Sequence, residues 1–419
     1  MSAPKRALRR AVESSAVRFY SWRGDPVARL FRPAARRDPY PIYACARAAA
    51  PVRSPLGVWF TSSHALCSSI LRDGRFSASQ KHAQGYTPLS YPEGDPRGAL
   101  PSEDMLGMDP PGHTRLRRLT ARAFSRRAIM ELEPWIRDRV CELLDRVDGR
   151  SGFDLIDALA FPLPIAVICH ILGVPAADQE RFKAWGREIA GTLDPTVGSR
   201  QDDPRTAELE LSAYLGALVE RHRAAPDTSL LSALVAVEEA GDQLSGQELV
   251  STALLLLVAG FETTVNLIGN GTAALLDHPE QWAALHEDSS LVPAAVEEML
   301  RYDSPVQATS RIATEAAEVG NTTVPKGAAV LILLAGANRD PAVFDAPDEF
   351  RIDRPDAANH LSFSQGIHHC LGPALARLEA QVAFEELSRR YARLEAAGEP
   401  VRRNLLVLRG FESLPVRAA

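Results

Sequence analysis

Phe363-Ser364-Gln365-Gly366-Ile367-His368-His369-Cys370-Leu371-Gly372-Pro373-Ala374-Leu375-Ala376 is the stretch from which the rest of the chain is read. It presents one cysteine from a loop and runs directly into a helix. Pro373 suits a first helical turn, where its missing N–H would have no partner anyway. Leu375, Leu378 and Val382 follow at helical spacing. A sulfur just before a helix N-terminus lies near free N–H groups and the positive end of the macrodipole. Both favour the thiolate, the form that binds metal. Gly366 and Gly372 flank the sulfur, as a flat cofactor pressed against the backbone requires. Zinc does not fit. His368, His369 and Cys370 are consecutive and cannot converge on one tetrahedral ion, and no second Cys/His cluster completes a site.

Upstream lies a long helical pattern. Ser245-Gly246-Gln247-Glu248 is a capping box, and Asp277-His278-Pro279 ends the pattern. About thirty residues span on the order of 45 Å. Its middle reads Ala259-Gly260-Phe261-Glu262-Thr263-Thr264. Alanine and glycine let a flat group approach the backbone. Glu262 and Thr263 are costly in an apolar core unless they are used. The Thr263 hydroxyl can bond the Ala259 carbonyl and open the helix locally. Glu298 and Arg301 then stand one helical turn apart, followed by Ala337-Asn338-Arg339-Asp340 and Phe350-Arg351-Ile352-Asp353-Arg354-Pro355. Between them Ser304-Pro305-Val306-Gln307 begins a strand-rich section.

In the first half, Pro51 to Ser62 reads as a hairpin and Ser63–Leu71 as a short helix. Phe76 to Met108 is rich in Gly, Pro and Ser, and a loop of that length is usually functional or disordered. Asp109-Pro110-Pro111-Gly112 starts a basic helix in which His113 and Arg117 share one face, two cation donors suited to a pair of carboxylates. Arg118, Arg122, Arg126 and Arg127 extend the positive charge. From Val140 to Leu172 helical and turn patterns alternate, with Pro162 and Pro164 breaking them. Asp178–Leu193 and Thr206–His222 read as amphipathic helices joined by the polar stretch Asp194–Pro204.

The spacing Phe363, Gly366, His368, Cys370, Gly372, Ala376 resembles the haem-binding segment of the cytochrome P450 family, with Ser364 where the family often has glycine. Ala259 to Thr263 resembles that family's oxygen-activation motif, and Glu298 with Arg301 its Glu-x-x-Arg pair. The resemblance spans roughly residues 28 to 419, with the motifs in family order. It implies a mainly α fold with a small β-rich side, in a single domain over 28–419 after a loosely ordered extension over 1–27. It implies haem b as cofactor, Cys370 as axial iron ligand, and propionates held by His113, Arg117, Arg311 and His368. Ala259, Phe363, Gly366 and Gly372 would also touch the cofactor. Glu262 and Thr263 become the catalytic pair that orders protons and water. Glu298, Arg301 and Arg354 become a buried structural cluster steadying the cysteine loop.

By the same resemblance, the loop within 76–108 covers the distal side of the haem and the 178–222 helix pair roofs the substrate channel. Leu255, Val306, Thr309 and Phe411 edge the substrate pocket, Phe411 within the turn Arg409–Glu412. The implied activity is monooxygenation. One atom of O2 enters a small organic substrate, expected to be a natural product, and the other becomes water. No G-x-G-x-x-G motif for flavin or nicotinamide is present. The two electrons would therefore come from a ferredoxin and its reductase, docking on the arginine-rich helix after His113. Coupling or dehydrogenation without oxygen insertion is an alternative, as is a non-catalytic haem sensor. Glu262 and Thr263 argue against the sensor, which needs no proton delivery.

Composition sets outer bounds. With 46% hydrophobic and 24% charged residues, the 419-residue chain is that of an ordinary globular protein. Five scattered cysteines fit a reducing compartment, hence the cytoplasm. A net charge of -6 gives no case for nucleic acid. Lys5-Arg6-Ala7-Leu8-Arg9-Arg10 is basic, but no apolar signal core follows. The longest apolar run, Ala253 to Phe261, is far below the roughly 20 residues of a membrane span. Neither nucleic acid nor membrane is expected as a partner.

Overall fold

The capping box at Ser245 starts the helix that the rest of the fold surrounds. The computed structural model describes residues 15–48, 50–84, 105–121, 124–190, 204–236, 238–239 and 242–418. In chain order, α1 (15–22), α2 (Pro26–Leu30), α3 (Pro33–Arg37) and α4 (Tyr40–Ala44) lead into β1 (Val52–Arg53), β2 (Trp59–Thr61), α5 (His64–Arg72) and β3 (Phe76–Ser77). Next come α6 (Gly112–Ala121), α7 (Arg126–Met130), α8 (Glu133–Asp145), β4 (Phe153–Asp154), α9 (Pro162–Ile171), α10 (Gln179–Ala190), α11 (Pro204–Ala224) and α12 (Leu230–Ala236). The strands β5 (Glu238–Glu239) and β6 (Asp242–Gln243) precede α13 (Gly246–Leu276), α14 (Pro279–Glu287) and α15 (Val292–Tyr302). Strands β7 (Thr309–Ala313), β8 (Ala317–Val319), β9 (Thr322–Val324) and β10 (Ala329–Ile332) form the strand-rich section. The chain closes with α16 (Leu334–Ala337), α17 (Pro373–Arg390), β11 (Leu394–Ala396), β12 (Val401–Arg402), β13 (Phe411–Ser413) and β14 (Pro415–Ala418).

The 31-residue α13 carries the capping box in both directions: the Glu248 N–H donates to Ser245 Oγ at 3.2 Å and the Ser245 N–H to Glu248 Oε2 at 2.8 Å. Arg115 pairs with the same carboxylate at 2.5 Å and ties α6 to the start of α13. By length and composition α13 could cross a membrane, but most of it is packed inside the protein. Residues of α8, α9, α10, α11, α15 and α17 form the main hydrophobic core with it. Two smaller cores lie under α2, α4 and β2, and between α5 and the large sheet.

That sheet runs β1-β2-β10-β7-β3, with β10 parallel to β2 and antiparallel to β7. The register sets Arg311 opposite Val330, inside the sheet rather than on a loop. The sheet and the later hairpins are the small β-rich side.

Two expectations change. Pro162 and Pro164 do not break a helix. They open α9 after a π-helical turn at Ile156–Ala160, in a first turn where their rings displace no intrahelical donor. The expected loose extension to residue 27 is also too long. Asp25 accepts from the Ala28 N–H at 2.8 Å to cap α2, and Val27 and Leu30 are buried with Tyr43 and Phe60. Most of the 76–108 loop, Arg122 and the 194–203 connector lie outside the described residues.

Candidate active site

The cysteine loop is built from its own backbone. The Cys370 N–H donates to the Phe363 carbonyl at 2.9 Å, and the His369 N–H to Gly366 at 3.1 Å. Gly372 caps α17, with Pro373 in the first turn. Gly366 has φ 70°, and a Cβ there would lie 2.1 Å from the Leu71 carbonyl oxygen. Its glycine is therefore demanded by the end of α5, and the sequence argument from a pressed cofactor is not needed at this position. Gly372 has open space where a side chain would be. Gln365 is tied to α5, accepting from Ser68 Oγ at 2.6 Å. The Arg377 guanidinium lies 4.5 Å from the Phe363 ring centroid and pairs with Glu297 at 2.5 Å.

A buried ionic cluster holds the approach to this loop. Arg301 donates to both Glu298 oxygens at 2.6 and 2.7 Å, and Arg354 donates to one of them at 3.2 Å. The guanidiniums also bond the carbonyls of Asn338, Pro347, Ala346 and Glu349. Asn338 carries the link onward. Its Oδ1 accepts from the Leu361 N–H at 2.6 Å and its Nδ2 donates to Ser362 Oγ at 2.8 Å. Ser362 in turn donates to the Leu300 carbonyl on α15 at 2.7 Å. Asn338 and Ser362 were not singled out from sequence. A polar pair 24 positions apart has no periodic signal.

Beside the loop sits a group of cation donors, with the Asp109 carboxylate near enough to offset part of their mutual repulsion. The His113 and His368 rings have centroids 4.3 Å apart, and both His113 nitrogens and His368 Nε2 are buried without a hydrogen-bond partner among the described residues. Arg311 is buried and, among the described residues, donates only to Thr309 Oγ1 and the Ser310 carbonyl. Arg117 donates to the His369 carbonyl at 2.6 Å. Burial is the main influence pushing His368 down to about 3 and Arg311 to about 10, and the neighbouring cations add to the fall at His368. Burial and the same cations also lower His113. Such unpartnered buried donors fit a ligand that brings two carboxylates.

Cys370 is open to solvent on one side. Its other surroundings are dense, and burial raises its thiol above the ordinary value, outweighing the Gly372 N–H, Arg117 and Arg377. The helix end alone therefore does not produce the thiolate expected from sequence. A metal's own charge reverses this balance, because a coordinating thiol is deprotonated outright.

Along α13, the window at Ala259, Gly260 and Thr263 is at least partly open, in a stretch otherwise buried from Thr252 to Thr272. Thr263 Oγ1 donates to the Ala259 carbonyl at 2.9 Å. Glu262, about 100° around the helix from Thr263, is fully buried, and its carboxylate lies against the Arg403 guanidinium. The structure thus brings Thr263 to the opening and turns Glu262 to the C-terminal segment. Asn266, one turn on, is buried so close to Gly410 that a Cβ there would collide with its Oδ1. Leu255 is buried one turn before Ala259, and Val306 and Thr309 are half-buried. Phe411 lies on β13 of the C-terminal hairpin. It is buried in the main core under the Arg402 guanidinium, 4.1 Å from its ring centroid, and it faces Gly269. Pairing of β13 with β12 turns it inward.

A loop-held cysteine at a helix start, partnerless buried donors suited to two carboxylates and a long helix with a threonine at an exposed window fit a haem-thiolate site. The cytochrome P450 family profile matches residues 95–405. The chain is 43% identical over 394 residues to the cytochrome P450 monooxygenase PikC of Streptomyces venezuelae, covering 91% of each. It is 40% identical to the 6-deoxyerythronolide B hydroxylase of Saccharopolyspora erythraea, covering 91% of this chain and 96% of that one. The fold matches the cytochrome P450 PksS of the Bacillus subtilis 168 bacillaene polyketide synthase with a TM-score of 0.84 at 34% identity, covering 93% of this chain and 99% of that one. The chain belongs to the cytochrome P450 family and is a monooxygenase. Its cofactor is haem b, which the cysteine and the unpartnered donors fit.

Proposed function

We propose that this enzyme hydroxylates or epoxidises a small natural product using O2 and two electrons from a ferredoxin and its reductase. O2, two electrons and two protons enter. One oxygen atom ends in the product and the other leaves as water. Haem b held by a thiolate supplies O2 activation and oxygen transfer. Cys370 is the proposed axial ligand, and His113, Arg117, Arg311 and His368 hold the propionates.

The observation that carries oxygen insertion is Thr263. Its hydroxyl stands at the opening of α13, already turned to the Ala259 carbonyl, where it can order water and pass protons. Glu262 acts from behind the helix, its carboxylate set against the Arg403 guanidinium. Leu255, Val306 and Thr309 edge the proposed pocket. A natural-product substrate is supported by the relative named for hydroxylation of 6-deoxyerythronolide B. The ferredoxin would dock at Arg118 and Arg126, exposed on α6 and α7, since Arg117 of α6 touches the cysteine loop. The cytoplasm is the proposed location.

The test is turnover under 18O2, with product, peroxide and NAD(P)H measured together for wild type and Thr263→Ala. Label should enter the product. The variant should bind substrate as before, with product per NAD(P)H reduced by about 10²-fold and peroxide increased. Unchanged product per NAD(P)H would remove Thr263 from proton delivery and favour coupling chemistry.

A further inference from the structure

We propose that residues 15–38 form a basic, aromatic-tipped arm that seats the enzyme on an anionic lipid surface. The charge along the chain is strongly uneven. Residues 1–38 hold ten Lys and Arg against three Asp and Glu, a net of +7, which leaves -13 on the other 381 because the whole chain carries -6. Such asymmetry is a mark of binding to a charged surface.

The side chains of this arm show how it would engage. Phe19 and Trp22 stand one turn apart on α1 and are 52% and 78% exposed. Trp22 is the one exposed tryptophan of five. Arg18 and Arg23 are exposed beside them, and the Arg23 guanidinium lies 5.9 Å from the Phe19 ring centroid. Arg18, Arg23, Arg29, Arg32 and Arg37 have no acidic partner among the described residues. A concavity of about 450 Å³ opens between Phe19, Tyr20 and Arg23 on one side and Pro55 at the β1–β2 turn on the other.

Tryptophan and phenylalanine with arginine alongside are the side chains that settle at a headgroup layer. The rings enter the acyl boundary while the guanidiniums meet lipid phosphates. The arm lies on the surface and spans nothing, so it needs no apolar segment of membrane length. Buried Val27 and Leu30 of α2 fix its base to the body of the protein. The proposal departs from the sequence expectation of no membrane partner.

The experiment is co-sedimentation of the full-length haem-loaded protein with phosphatidylcholine vesicles and with 1:1 phosphatidylcholine/phosphatidylglycerol vesicles at 0.1 M salt. Binding to the anionic vesicles alone, weakening as salt rises, is expected. Arg18→Ser with Arg23→Ser should weaken it about 25-fold, at roughly fivefold per charge. Phe19→Ser with Trp22→Ser should weaken it about tenfold or more. Both double variants should keep the wild-type haem spectrum and melting temperature, because these side chains are exposed. No binding to anionic vesicles, equal binding to both vesicle types, or undiminished binding by either variant overturns the proposal. So does a duplex oligonucleotide that displaces the vesicles and is itself bound through the same side chains.

Discussion

Glu379 is a buried acid that the site does not use. It lies on α17, and one of its carboxylate oxygens is buried without a partner among the described residues. Burial alone pushes its carboxyl up from 4.5 to about 8. In the folded protein it is therefore protonated at pH 7, while in the unfolded chain it is ionised above about 4.5. The folded pKa lies above the unfolded one, so a stability penalty is absent below pH 4.5, grows as pH rises and levels off above about 8. At 1.36 kcal/mol per pKa unit the linkage costs about 1 kcal/mol at pH 5, about 3 at pH 7 and about 4 at pH 8. Glu379→Gln keeps the shape of the neutral acid and removes the titration. An unfolding entropy of about 2.1 cal/mol/K per residue makes 1 kcal/mol worth about 1 °C for a chain of this length. The variant should melt about 1 °C above wild type at pH 5 and about 5 °C above it at pH 8. The assay is thermal unfolding of the haem-loaded protein followed by far-ultraviolet circular dichroism at both pH values. An equal difference at pH 5 and pH 8, or a variant less stable at pH 8, would refute the buried, protonated state.

Cys370→Ser should leave a folded protein whose reduced, CO-bound spectrum lacks the red-shifted Soret band of thiolate ligation; persistence of that band would exclude Cys370 as the ligand. Glu298→Gln strips the buried Arg301 and Arg354 of their carboxylate, a loss of about 3–5 kcal/mol, and little haem-loaded protein should be recovered. A full yield with wild-type melting would show that the cluster does not steady the cysteine loop. Arg118→Glu should slow reduction by ferredoxin without altering the substrate-induced spectral shift, and the wild-type rate should fall with salt, since exposed charges are screened beyond about 10 Å at 0.1 M. A salt-independent rate, unchanged in the variant, would move the donor elsewhere.

The parts legible in the sequence are those held by near neighbours in the chain. The Ser245–Glu248 cap and the bond from Thr263 to the Ala259 carbonyl close within one helical turn, so residue type and spacing suffice to write them down. The cysteine loop is equally local, with Cys370 bonded back to Phe363. Tertiary structure decided what these segments meet. Helical geometry separates Glu262 from Thr263 by about 100°, but only the return of the C-terminal segment supplies Arg403 and leaves the threonine facing the opening. The reason for Gly366 is a carbonyl at residue 71, and the core position of Phe411 follows from a strand pairing that residue types do not specify. Glu379 reads as an ordinary helical glutamate until the fold buries it. Burial and long-range partners depend on how distant segments close on one another, and a one-dimensional pattern carries that only where a turn or a cap encodes it.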